Sequence, residues 1–141
     1  MKKIVAVLLT LLLVLPLAAC GKKEAQTASI SLAANPTTGY EWFAFQSSDL
    51  FEIESEYVAD SADEELVGGG GHYNFTLKPL KAGDCKVSFV YQRSWEAMEL
   101  GDDLTYEITV TKDLQIKVNA MSGGIEGTED ELPEIPELTI S

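Results

Sequence analysis

Thiol catalysis needs a cysteine and a base to take its proton. This chain offers Cys20, Cys85 and a single histidine, His72. Cys85 shares the parity of Val87 and Phe89, which marks it as a small core residue. His72 opens a strand-like run beside four glycines and reads as a solvated loop residue, not a base. No catalytic residue, and no enzyme, is expected. The carboxylates do no better as metal ligands. Asp102 with Asp103, or Asp63-Glu64-Glu65, could gather calcium, but neither has the spacing of an EF-hand loop, and both read as solvated charge. No metal or cofactor is expected.

Three loops carry more information. Asn35-Pro36-Thr37-Thr38-Gly39-Tyr40 lies between two apolar runs. Pro36 fixes φ at a turn corner and biases Asn35 towards an extended conformation, and Gly39 accepts the positive φ that closes the turn. Thr37 and Thr38 fall at the tip, with their hydroxyls expected to face outward. A second loop, residues 60–71, ends in Gly68-Gly69-Gly70-Gly71. Four glycines forfeit backbone order, which suits either a flexible linker or a place where backbone must approach something closely. A phosphate cradle does not fit, because no helix or lysine follows at P-loop spacing. In the third loop, residues 93–103, strand alternation stops and Arg93 and Trp95 stand in a polar segment. Trp95 could be a lid on the core, yet Trp and Arg are also the types most enriched in binding hot spots.

Period-two alternation supplies the elements that must hold these loops. Ile30 and Leu32 alternate with serines, and Tyr40, Trp42 and Ala44 share one face, opposite Glu41, Phe43 and Phe45. Phe51, Ile53, Ser55 and Tyr57 alternate with Glu52, Glu54 and Glu56, giving a strand with one acidic, solvated side. Tyr73, Phe75 and Leu77 form the next stripe, then Cys85, Val87, Phe89 and Tyr91 after a turn at Lys81-Ala82-Gly83-Asp84, then Leu104, Tyr106, Ile108 and Val110. Leu114, Ile116 and Val118 keep that parity across Lys112-Asp113, which fits one long strand over 104–118 or a hairpin equally well. No long 3.6-residue period is present. Six or seven short strands separated by turns predict an all-β sandwich over residues 28–120. Residues 121–141 combine glycine, acid and proline, and predict a disordered tail.

The chain opens with Met1-Lys2-Lys3, an apolar run from Ile4 to Leu15, and small residues before Cys20. This is the anatomy of an export signal, too short for an ordinary membrane span. The 141 residues hold 10 basic and 23 acidic side chains, a net −13, and loss of Lys2 and Lys3 leaves −15. That balance excludes nucleic acid as a natural partner. Retention at a membrane must then come from an anchor more than from charge. Cys85 has no partner once Cys20 is modified, so packing alone must stabilise the domain.

Leu17-Ala18-Ala19-Cys20 resembles a bacterial lipoprotein box, which implies cleavage of residues 1–19, acylation of Cys20 and a location on the extracytoplasmic side of a bacterial membrane, with 20–27 as a tether. The Asn35–Tyr40 motif with Trp42 after it, the glycines ahead of Phe75, and Tyr91-Gln92-Arg93-Ser94-Trp95-Glu96 together resemble the chagasin family of papain-like cysteine protease inhibitors, over roughly residues 28–111. The first motif matches in full; Gly68, Gly70 and Gly71 meet the family's Gly-x-Gly-Gly; Ser94 replaces the proline of its Arg-Pro-Trp. The resemblance implies an immunoglobulin-like sandwich of about seven strands with Greek-key connections. It further implies a reversible, competitive inhibitor, acting as a monomer, that enters the protease cleft with loops 35–40, 60–71 and 93–103. Thr37 and Thr38 would cap the catalytic cysteine, the glycines would run along one side of the cleft, and Trp95 would pack on aromatic surface on the other side, with Arg93 supporting the loop or pairing with an acidic group. Ser94 would loosen the third loop and lower affinity. The alternative is a tethered binding or adhesion module with no protease partner, which the fold by itself never excludes.

Overall fold

The structure, a computed structural model, describes residues 23–60, 69–95, 103–125 and 134–141. The expected leader, Cys20 and Gly68 lie outside these residues, as do the acidic groups Asp63-Glu64-Glu65 and Asp102. Eight strands form: β1 (Ala28–Ala34), β2 (Tyr40–Gln46), β3 (Phe51–Ala59), β4 (Gly71–Pro79), β5 (Gly83–Arg93), β6 (Asp103–Val110), β7 (Ile116–Gly124) and β8 (Thr139–Ile140). They make two antiparallel four-stranded sheets, ordered β3-β4-β1-β8 and β2-β5-β6-β7. The chain changes sheet after β1, β2, β4 and β7, so the two halves interlock in Greek-key fashion.

The alternation read from sequence sets the core. Ile30, Leu32, Phe75, Leu77, Val87, Phe89, Leu104, Tyr106, Ile108 and Val110 are buried, while Glu52, Glu54 and Glu56 of β3 face solvent. Phe75 and Phe89 meet across the sheets at 5.0 Å between ring centres, and Phe89 meets Tyr106 at 5.9 Å. Such contacts add to area burial and keep the sheets in one relative position. Cys85 is a buried free thiol, as its parity required.

One open expectation is decided and others are corrected. The pattern over 104–118 is a hairpin: β6 and β7 pair, and Thr111 N–H donates to the Gln115 carbonyl across the turn that Lys112-Asp113 begins. The segment after Ala120 is not a disordered tail in its described parts. Residues 121–124 finish β7, Leu138 is buried, and β8 pairs with Ala28 and Ser29 of β1. Tyr106 donates its hydroxyl to the Pro136 carbonyl at 2.5 Å. The composition of the tail is poor in apolar residues, but Ile135, Leu138 and Ile140 meet a core already built by the other strands. The late part of the 20–27 tether is likewise fixed, with Thr27 and Ser141 exchanging backbone hydrogen bonds at 2.9 and 3.0 Å. His72 is the second residue of β4, half-exposed, with its Nδ1 2.7 Å from Asp60.

The strand directions fix two poles. Ala34, Tyr40, Ala59, Gly71, Arg93 and Asp103 end or begin strands at one pole, and all three loops join strands there.

Candidate functional site

The first loop is the most tightly built. Pro36–Thr38 forms a single 3-10 turn, capped by Asn35 at φ −130° and closed by Gly39 at φ +82°. Asn35 Oδ1 accepts from the Thr37 amide at 3.3 Å and the Thr37 hydroxyl at 2.5 Å. The Thr38 hydroxyl donates to the Asn35 carbonyl at 2.6 Å. The two threonines are exposed, as expected, but their hydroxyls do not project freely: both are spent inside the turn, which stiffens the tip.

Tyr91 carries the turn from below. Its hydroxyl accepts the Asn35 N–H at 3.1 Å, and its ring lies 4.9 Å from Trp42 and 5.3 Å from Tyr40. Trp42 in turn donates its indole N–H to the Ala33 carbonyl at 2.9 Å, linking the two sheets where the loop departs. The sequence assigned Tyr91 only a place in the apolar stripe of β5. The missed signal was its hydroxyl, a polar tip at the end of a buried row and aimed at a turn that lacks a partner for one amide.

The third loop leans on the first. Arg93 Nε donates to the Thr38 carbonyl at 3.2 Å, and the guanidinium lies 4.6 Å from the Tyr40 ring centre and 5.9 Å from that of Trp95. A cation over an aromatic face is attracted by the ring quadrupole, so Arg93 ties the two loops together. Trp95 is 70% exposed and therefore seals no core. Its six-membered ring covers the α-carbon of Gly39, where even a methyl group would collide with it. Residues 96–102 of this loop lie outside the described residues.

The glycine loop flanks the first loop on the other sheet. Gly71 pairs with both Ala34 and Ala59, and a side chain on it would strike the Tyr57 hydroxyl and the Val58 carbonyl. Gly70 accepts the Asp60 N–H at 3.1 Å, and Gly69 is exposed. Asp60 therefore holds both the start of the glycine arm, through its amide, and His72, through its carboxylate. Nearby, Tyr73 donates to Glu41 at 3.4 Å, and desolvation first, then Glu41, raises its phenol pKa above the ordinary value.

Of the residues singled out by sequence, Asn35, Pro36, Thr37, Thr38, Gly39, Tyr40, Arg93 and Trp95 thus form one contiguous surface with Gly69 and Gly70 beside it, whereas Gly71, expected at the same surface, is buried because it pairs with both β1 and β3. Among the described residues no group of three His, Cys, Asp or Glu side chains is placed to hold a metal ion.

Residues 23–110 match the model of the family described as "Chagasin family peptidase inhibitor I42". The chain is similar to Amoebiasin-1 of Entamoeba histolytica, 35% identical over 72 residues that make up 51% of this chain and 70% of that protein. It is also similar to Chagasin of Trypanosoma cruzi, 32% identical over 72 residues, 47% of this chain and 64% of the relative. Among solved structures, the cysteine protease inhibitor EhICP2 of Entamoeba histolytica superposes with a TM-score of 0.52 at 31% identity, covering 60% of this chain and 78% of that one. The sandwich is accordingly immunoglobulin-like, and the chain belongs to the chagasin family of peptidase inhibitors.

Proposed function

We propose that this chain inhibits papain-like cysteine proteases reversibly and competitively, by seating the Asn35–Tyr40 turn in the active-site cleft between the glycine arm on one side and the Trp95 arm on the other. The observation that carries the reading is the stiffness of the central turn. Its backbone amide, both threonine hydroxyls and Thr38 carbonyl are already bonded within the protein, so docking orders little that was loose. In this reading Thr37 and Thr38 cover the catalytic cysteine. Gly69 and Gly70 offer bare backbone to the cleft wall, as in strand addition. Trp95, exposed over Gly39, packs on apolar surface opposite. The central turn need place no scissile bond in register for hydrolysis, so the wedge blocks the cleft without being cut. Membership of an inhibitor family agrees with a chain that carries no catalytic role for Cys85, which is buried, or for His72, whose ring is bonded to Asp60.

The chain acts as a monomer. Cys20 carries a lipid after removal of residues 1–19, and the domain works on the extracytoplasmic side of a bacterial membrane. The support for the anchor and the location is the lipoprotein-box sequence alone.

The reading is tested by steady-state inhibition of papain with the wild-type chain and Trp95→Ala. Removal of the exposed indole should weaken binding by about 2–4 kcal/mol, as for a central aromatic anchor, with no loss of fold. An unchanged inhibition constant would show that the third loop stays out of the cleft.

A further inference from the structure

One carboxylate at the loop pole has almost nothing to hold. Glu41 is the second residue of β2, one step beyond the Asn35–Tyr40 turn, and it is half-buried. Its single hydrogen bond among the described residues comes from the Tyr73 hydroxyl at 3.4 Å. That is long for an O–H···O bond, which ordinarily spans about 2.5–3.0 Å. An ionised carboxylate has room for about four donors, so most of its accepting capacity is unmet by protein. No ion pair among the described residues involves it. The chain's single arginine, Arg93, is turned over the rings of Tyr40 and Trp95. Residues 61–68 and 96–102 contain neither lysine nor arginine, so those loop segments bring Glu41 no cation.

Two aromatic rings stand beside this carboxylate. The Tyr73 ring of β4 lies 5.2 Å from the Tyr57 ring of β3, with the planes inclined at 51°. Both tyrosines are half-buried, and the Tyr57 hydroxyl lies against Gly71 at the root of the glycine arm. Glu41, Tyr73 and Tyr57 are therefore grouped between the central turn and the glycine arm. β2 and β3 are outer strands of their sheets, so no further strand shields the group on that side. A cation here would meet ring faces and a carboxylate together, and each attracts it. Burial raises the Tyr73 phenol pKa, with Glu41 adding to the rise, so water screens this spot less than open surface.

We propose that Glu41, Tyr73 and Tyr57 form a cation subsite that takes a lysine or arginine side chain from the rim of the protease cleft, on the side of the glycine arm. The inference rests on the inhibitor reading for its occupant and extends it by assigning the partner a basic residue at that point. The subsite is continuous with the docking turn. Glu41 follows Thr38 by three residues, a reach of about 10 Å along extended chain, so a partner that covers the turn also covers Glu41. Glu41 thereby separates proteases by one rim charge: a basic residue satisfies it, whereas an acidic one is repelled.

The subsite is tested first without a protease. The full chain is titrated with ethylguanidinium chloride, and with ethylurea as the uncharged isostere, while NMR follows the Tyr57 and Tyr73 rings. Saturable shifts of both rings are expected with ethylguanidinium alone, lost in Glu41→Gln and kept in weakened form in Glu41→Asp. An equal response to ethylurea, or shifts that persist in Glu41→Gln, would overturn the subsite. The rim contact is tested with papain. Glu41→Gln should raise the inhibition constant about tenfold and Glu41→Lys further, both effects shrinking as salt is added. Asp113→Lys, an exposed change at the opposite pole, should leave it little altered. An inhibition constant unmoved by Glu41→Lys would overturn the rim contact. A wild-type chain that fails to inhibit papain would overturn the inhibitor reading instead, and the titration would still decide the subsite.

Discussion

Tyr91 illustrates how one hydroxyl can set the affinity of a surface it does not itself present. Its ring fills the space under Tyr40 and Trp42, and its oxygen satisfies the Asn35 amide at the base of the turn. Tyr91→Phe keeps the ring and removes the acceptor, leaving a half-buried amide without its partner. The cost to stability should be about 1 kcal/mol, read as a lower urea midpoint. Inhibition should weaken in the dissociation rate, because the turn is no longer held in its docking shape. A full loss of inhibition would instead mean that the phenol reaches the protease. At the same scale, Gly39 answers two needs together. Its φ of +82° disfavours a side chain, and its α-carbon is the floor on which Trp95 rests.

At the scale of elements, the C-terminal segment is the feature that departs most from its composition. The family match ends at residue 110, yet β7 borders one sheet and β8 the other, so residues beyond the match cover an edge of each. Exposed edges template unwanted pairing, and β8 covers that of β1. Leu138→Ala should therefore lower stability by about 2–4 kcal/mol in urea denaturation, with papain inhibition by the folded protein unchanged. A stability shift within error would mean that this segment is only laid on the surface. The strands from β1 to β6 were legible in sequence, because each shows period-two alternation that is its own evidence. The segment from Ile135 to Ile140 was not, because its three apolar residues are too sparse to form a pattern and gain meaning only against a core made by distant strands. The hairpin at Lys112-Asp113 was undecidable for a related reason: parity runs unbroken through it. In the candidate site, the turn geometry at Pro36 and Gly39 followed from backbone preferences. The inward bonds of Thr37 and Thr38 did not, since they depend on where the Asn35 side chain points.

At the scale of the whole molecule, burial makes the fold sensitive to alkali. Tyr106 is fully buried between the sheets, and desolvation pushes its phenol pKa up to about 12. The folded state therefore holds this proton more tightly than the unfolded chain, where a tyrosine titrates near 10. The contribution is fully present below about pH 10 and is lost as pH rises towards about 12, a fall on the order of 2 kcal/mol. Tyr73, raised in the same direction, adds to the slope. Chemical denaturation across that window should show the fall, and Tyr106→Phe should flatten it; a slope unaltered by that change would place its cause elsewhere.

The most direct test of the wedge is a competitive titration of papain with the wild-type chain and with Thr37→Arg, an exposed position whose change leaves the core untouched. Wild type should raise the apparent KM without changing kcat, at nanomolar concentrations, and the arginine should abolish inhibition while the unfolding free energy from urea denaturation falls by no more than about 1 kcal/mol, roughly the cost of the one hydroxyl bond it removes. Equal inhibition by both forms would contradict entry of this turn into the cleft.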